Sequence, residues 1–276
     1  MSLFACSLNS GSNGNCYYIG TSDDAILIDA GLSCRETEKR MREKELEIKK
    51  VRAIFISHEH SDHIRGIERL SDKYNLPVYV TEQTCSTGCL NIRPALKVHF
   101  NEHEPVQISA LKIQAFRKFH DAADPHSFVV SFRNINVGIF TDLGRVCQQL
   151  IRHFKTCHAA FLECNYDEGL LENGRYPVHL KNRIRGGSGH LSNKEALNLF
   201  LKHRHRQLSH LFLSHLSHEN NSPDLVERLF SFHALNTKIV VASRYKATDV
   251  YEIKAKHAKE PIDAVPLRKH VQLNLF

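Results

Sequence analysis

Seven consecutive residues, Ser57-His58-Glu59-His60-Ser61-Asp62-His63, carry the densest chemistry in this 276-residue chain. His58 and His60 alternate along an extended segment and can point to one side, while Asp62 and His63 turn toward a second position. Four nitrogen and oxygen donors in six residues, directly after an apolar strand, are costly to bury unless something satisfies them. Imidazole and carboxylate donors suit zinc or manganese, with iron as a further option. Chance clustering competes with this reading, because the chain holds 19 histidines. It does not account for three further positions: His120 in Phe119-His120-Asp121, Asp142 in Phe140-Thr141-Asp142-Leu143-Gly144, and His215 in Leu213-Ser214-His215. Each of these has an ordinary alternative. His120 could be a surface histidine beside Asp121 and Asp124, Asp142 could open the next helix, and His215 has rivals in His210 and His218.

Basic and glycine-rich segments add a second group of candidates. His190 follows Gly186-Gly187-Ser188-Gly189, which can approach a ligand closely, and precedes Leu191-Ser192-Asn193, which can cap a helix. Cap or packing histidine is its plain alternative. Just upstream, Lys181-Asn182-Arg183-Ile184-Arg185 could touch phosphates or form a solvated loop, and Lys202 to Arg206 is basic as well.

These residues need strands and turns to deliver them. Leu3 to Leu8, Cys16 to Gly20 and Ala25 to Ile28 read as strands, the first two separated by the turn residues of SGSNGN, the third running into Asp29. Ser33 with Glu36 forms a capping-box pattern opening a charged, solvated helix. Val51 to Ile56 delivers His58; a helix over 64–75 and a strand at 77–80 follow. Consecutive strands occupy 96–142. Helices near 144–153, 192–203 and 223–233 then alternate with strands near 159–162, 210–214 and 238–242. Two apolar strands run into Ser-His, at Ser57-His58 and Ser214-His215. The expected architecture is an α/β, four-layer αββα sandwich with pseudo-two-fold character. Residues 1–250 are read as one domain and 251–276 as a final strand or basic tail.

Composition narrows the function classes. Hydrophobic residues at 42% and charged residues at 24% are ordinary globular values, so fibrous and disordered classes fall away. No run approaches 18 apolar residues, and the start lacks the basic and apolar regions of a signal peptide. Eight scattered cysteines with no CxxC pair suit a reducing cytoplasm, although Cys85 and Cys89 could share a helical face or a disulfide. A net charge of +7 favours polyanionic partners.

The HEHSDH run fits the HxHxDH signature of the metallo-β-lactamase superfamily, and the chain resembles that family in motif order from about residue 3 to 242. SGSNGN, the Asp142 motif and Gly189-His190-Leu191-Ser192-Asn193 look most like its YycJ/WalJ and PhnP-like branch. The resemblance implies one metal on His58, His60 and His120, a second on Asp62, His63 and His215, and Asp142 bridging them. Asp29 would brace the metal loop. Asp62 stands where thiol-using relatives carry cysteine, which points away from antibiotic hydrolysis of that kind.

Two divalent ions about 3.5–4 Å apart can share a hydroxide and clamp both oxygens of a phosphoryl displacement. That hydroxide is the expected nucleophile, oriented by Asp62, and the chain has no P-loop. His190 resembles the histidine that assists the leaving oxygen in phosphodiesterase relatives. The basic excess and the branch resemblance together favour metal-dependent phosphodiester hydrolysis of nucleic acid, with DNA exonuclease action as the expectation. About 45 residues separate Asp142 from Gly187, too few for the β-CASP domain of large RNA-processing relatives. Hydrolysis of a small or cyclic phosphodiester is the next reading. Thiolester hydrolysis and non-catalytic nucleic-acid binding follow, the latter opposed by an intact ligand set.

Overall fold

Runs such as Ala25–Ile28 and Ala159–Glu163 are buried on both faces, which strands achieve only inside layered structures. A computed structural model describes residues 2–255 and shows those layers. The first sheet takes β1 (Leu3–Asn9), β2 (Cys16–Gly20), β3 (Ala25–Ile28), β4 (Val51–Phe55), β5 (Val78–Val80) and β6 (Lys97–His99). The second takes β7 (Val106–Ile108), β8 (Leu111–Arg117), β9 (His126–Phe132), β10 (Ile135–Phe140), β11 (Ala159–Glu163), β12 (His210–Ser214) and β13 (Lys238–Val241), before β14 (Tyr251–Ile253) returns to the first. Their orders are β14-β1-β2-β3-β4-β5-β6 and β13-β12-β11-β10-β9-β8-β7. In each, short connections give an antiparallel part and helical crossovers a parallel part, β3 to β6 and β10 to β13.

Side-chain alternation divides each strand between two cores. Ile26, Ile28, Ala53 and Phe55 face Phe128, Val130, Ile139 and Phe161 between the sheets. Rings tie the layers together, Phe55 to Phe128 at 5.8 Å and Tyr17 to Phe161 at 5.0 Å. Ala25, Leu27 and Ile54 face outward under α1 (Cys34–Glu43), α3 (Ile67–Tyr74) and α4 (Glu82–Thr87). Ala160, Leu162, Leu211 and Leu213 lie under α5 (Gln148–Phe154), α8 (Asn193–His203) and α9 (Pro223–Ser231). The result is the expected αββα sandwich. Short α2 (Ser61–Ile64), α6 (Glu168–Asn173) and α7 (Val178–Arg185) complete the set. No helix among the described residues is long and apolar enough to cross a membrane.

Several local expectations change. Ser33 caps α1, but Glu36 pairs with Arg40 instead of closing the box; the complete box is Ser192 with Glu195 on α8. Nor is α1 wholly solvated: Arg40 is buried, donating to the Leu8 carbonyl and the Asn9 side chain. Lys181 to Arg185 lies in α7, not a loop. Cys85 and Cys89 share no helical face and no disulfide, since α4 ends at Thr87 and both thiols are free. Tyr251–Ile253 pairs with β1, whereas residues 256–276, including VQLNLF, lie outside the described residues.

Candidate metal centre

The C-terminal ends of the parallel strands share one edge of the sandwich, and the candidate residues gather there. Asp29 follows β3, Ser57 and His58 follow β4, Asp142 follows β10, Glu163 ends β11 and His215 follows β12. The chain must turn sharply to place them. Asp29, Asp142 and His215 have φ of 60°, 54° and 55°, in the left-handed region that side chains rarely occupy. Each such residue costs about 1 kcal/mol or more, held in place by the packed strands behind it.

Two donor clusters result. In the first, His58 Nε2 and His120 Nε2 lie 3.2 and 3.3 Å from His60 Nδ1. The far nitrogens of two of these rings are occupied: His58 Nδ1 meets Ser57 Oγ at 2.8 Å and His120 Nδ1 meets the Gly189 carbonyl at 2.9 Å. The lone pairs on Nε2 therefore face one another across a common space. In the second, Asp62 Oδ2 is 3.5 Å from His63 Nε2 and 3.6 Å from His215 Nε2. Asp142 lies between the clusters, 3.2 Å from His63, 3.4 Å from His215 and 3.9 Å from His120. Two atoms there, Asp142 Oδ2 and His215 Nε2, are buried without a hydrogen-bond partner. Such orphaned atoms, amid nitrogens that repel a like neighbour, fit cations as partners. All eight residues expected at the site, His190 included, are thus brought together.

Carboxylates hold the rings from behind. Asp29 accepts from Ser57 N at 2.8 Å, Ser57 Oγ at 2.9 Å and His63 Nδ1 at 2.7 Å. Glu163 does the same in the second sheet. Its Oε1 lies 2.8 Å from His190 Nδ1 and 3.2 Å from His215 Nδ1, and its Oε2 accepts from Leu143 N and Leu191 N. Carboxylate–imidazole pairs of this kind fix a ligand's tautomer and orientation. Glu163 was missed in the sequence; the signal was a carboxylate ending an apolar strand, as Asp29 and Asp142 nearly do. Asn15 was missed too. Its Nδ2 reaches Asp62 Oδ2 and His63 Nε2, each at 3.0 Å. Gly31 permits this approach, because a Cβ there would fall 1.6 Å from the Asp62 carbonyl oxygen.

Electrostatics sort the histidines into two kinds. Burial drives His58 well below the usual range and pushes His120 down to about 4, so both are neutral donors at pH 7. Burial acts the same way on His63 and His215, but carboxylates outweigh it. Asp29, Asp142 and Asp62 hold His63 well above its usual value, and Asp142, Asp62 and Glu163 bring His215 to about 10. Asp142 is held well below the carboxylate range despite its burial, chiefly by His215 and His63. Buried Lys118, donating to the Thr141 carbonyl at 2.8 Å, is a further positive charge here, with its own pKa lowered by burial.

The ordinary alternatives lie elsewhere. His210 is at the opposite end of β12 against Tyr251, and His218 is exposed and paired with Glu219. Asp142 does not open a helix, since α5 starts at Gln148 with Cys147 as its cap. On α7, Arg183 pairs with Asp121 and Arg185 with Glu172, each at 2.6 Å, so much of that charge is already engaged. Lys202 to Arg206 falls at the far end of α8, away from the centre that the start of α8 adjoins.

Comparison with known proteins agrees with this geometry. Residues 10–107 match the metallo-β-lactamase superfamily. Exodeoxyribonuclease YycJ of Bacillus anthracis is 36% identical over 228 residues, which cover 82% of this chain and 86% of that one. Exodeoxyribonuclease WalJ of Streptococcus pneumoniae is 29% identical over 248 residues, covering 88% and 92%. Among solved structures, the metallo-β-lactamase fold protein YhfI from Bacillus subtilis superposes with a TM-score of 0.72. The match covers 91% of this chain and 100% of that one at 16% identity, a likeness of fold. Motif, sandwich and relatives lead to one assignment: this chain belongs to the metallo-β-lactamase superfamily, beside YycJ and WalJ.

Proposed function

We propose that this protein is a metal-dependent phosphodiester hydrolase that removes nucleotides from DNA ends, as the names of its YycJ and WalJ relatives describe for them. The observation that carries the reading is Asp142, one carboxylate within 4 Å of imidazole nitrogens from both clusters, with a buried oxygen that has no partner. In this reading His58, His60 and His120 would hold one divalent ion and Asp62, His63 and His215 the other, with the Asp142 carboxylate available to either cluster. Zinc or manganese suits so uniform a nitrogen and oxygen set. When bound, such ions supply Lewis acidity toward a water and toward phosphate oxygens.

The chain's own groups supply positioning and proton movement. Asp62, steadied by Asn15, accepts a hydrogen bond from the attacking water and so orients it. His190 is held by Glu163 through Nδ1, which leaves Nε2 to donate to the leaving oxygen. Lys118 lends fixed positive charge close to Asp142. The net charge of +7 supports a polyanionic substrate. Eight unbridged cysteines support a cytoplasmic setting, and residues 1–250 act as one catalytic domain.

The test is a panel of labelled linear DNA, labelled RNA and bis-p-nitrophenyl phosphate, given to enzyme loaded with zinc or with manganese. DNA should be shortened from its ends, and raised salt should weaken DNA turnover far more than turnover of the small ester. Rapid hydrolysis of a cyclic phosphodiester with neither nucleic acid cleaved would replace the nuclease reading. Turnover of a glutathione thiolester alone would remove phosphoryl transfer altogether.

A further inference from the structure

A cleft of about 320 Å³ opens directly beside His215. Ser10, Leu216, Pro223, Ala242, Arg244 and Tyr245 are among the residues that line it. The cleft is joined to the metal centre through Ser10, whose Oγ accepts from His215 N at 2.8 Å while the same residue forms part of the cleft wall. Leu216, the residue after His215, forms another part.

Two features of this wall remain unused by the chemistry derived above. Arg244 Nη1 is buried and meets no acceptor, although Nη2 touches Ser12 Oγ at 3.4 Å. A guanidinium nitrogen is a strong, charge-assisted donor to phosphate oxygens, and Arg244 forms part of this wall. Tyr245, 69% exposed, offers a large ring at the cleft mouth, next to apolar wall from Leu216, Pro223, Val241 and Ala242. Ring and apolar wall suit a flat heterocycle, because every nucleobase presents a π-face. The cleft's volume is at the small end of ligand sites, enough for one compact ligand.

We propose that this cleft seats the outermost nucleotide of the substrate strand, with Tyr245 against its base and Arg244 on a phosphate oxygen. The proposal rests on the phosphodiesterase reading of the adjacent centre and deepens it. A seat for one nucleotide beside the reacting phosphate would make the enzyme count from a chain end.

The probes are thymidine monophosphate, thymidine and inorganic phosphate, each tested as an inhibitor of bis-p-nitrophenyl phosphate hydrolysis by the metal-loaded full chain. Thymidine monophosphate should inhibit at least tenfold more tightly than either fragment. Arg244→Ala should weaken that inhibition about tenfold or more and Tyr245→Ala about fivefold, with metal content retained. Both should raise KM for linear DNA more than they lower kcat. Since Arg244 also packs against the turn at Ser12, the exposed Tyr245 variant keeps the test open if Arg244→Ala misfolds. Inhibition no tighter than by phosphate, or unchanged in Tyr245→Ala, overturns the proposal. The two readings fail separately: nucleotide binding with intact DNA sinks the nuclease assignment, and DNA degradation without nucleotide preference sinks the cleft.

Discussion

The two halves of the molecule build the centre by different means. In the first half, one segment after β4, a loop running into α2, carries four donors in six residues, braced by Asp29 from the next strand over. In the second, His120, Asp142, His190 and His215 arrive on separate strand or helix ends spread over about 95 residues, with Glu163 behind two of them. The first arrangement depends on local spacing. The second depends on parallel register, in which Phe140, Leu162 and Leu213 stand side by side before their donors emerge. A dense loop is thus matched by a dispersed set that no short segment encodes.

The hardest blow to this balance is Asp142→Ala, the one donor positioned between both clusters. It should remove nearly all phosphodiesterase activity and lower bound metal, read by turnover and elemental analysis; full metal occupancy would show that the halves do not meet there. Next in size, His190→Ala should leave metal content intact and reduce kcat by roughly 10²–10⁴, the scale for a positioned proton donor. A fall in metal content would instead make His190 a ligand. Glu163→Gln and Asp29→Asn then compare the two braces directly. Each should cost about 10–100-fold in metal affinity or activity. Metal titrations that separate them widely would mean one half carries the site.

The smallest effect is a count of protons. Without metal, His215 keeps its proton at pH 7.5, because Asp142, Asp62 and Glu163 bring it to about 10, and the carboxylates around His63 shift that ring the same way, whereas burial favours neutral His58 and His120. Loading should therefore release at least the His215 proton from each chain, with His63 adding to it, and the release should fall as pH rises toward 10. Calorimetry in buffers of different ionisation enthalpy measures this. A release below one proton would contradict the sorting of the histidines.

This contrast also explains what could be read from the sequence. HEHSDH was legible because its donors sit close together, and most strands because apolar runs mark them. Glu163 was not, because a single carboxylate at a strand end looks like the start of a loop until β10 and β12 are placed beside it. Asn15 acts across 47 residues on Asp62 and has no local signature. Arg40 belongs to a charged run whose solvated appearance hides one cation turned inward. Helix α7 was obscured by a short, basic segment between Pro177 and Gly186. The chain's fold class and donors were therefore visible, whereas the braces that aim the donors depend on tertiary neighbours.

The left-handed backbone at Asp29, Asp142 and His215 has a bearing on descent. A glycine would relieve the backbone at each of these positions, but it would also strip the centre of a buried partner: at Asp29, Ser57 N and His63 Nδ1 would lose their acceptor, and at Asp142 the histidines would lose their counter-charge. Backbone strain and buried charge are therefore tied together here, and copies of this gene released from selection for activity could place glycine or asparagine at these sites only after the facing charges had gone as well. Retention of Asp, Asp and His at all three sites in a divergent sequence would then mark a lineage still under selection for the reaction, even where the loop after β4 has become hard to recognise.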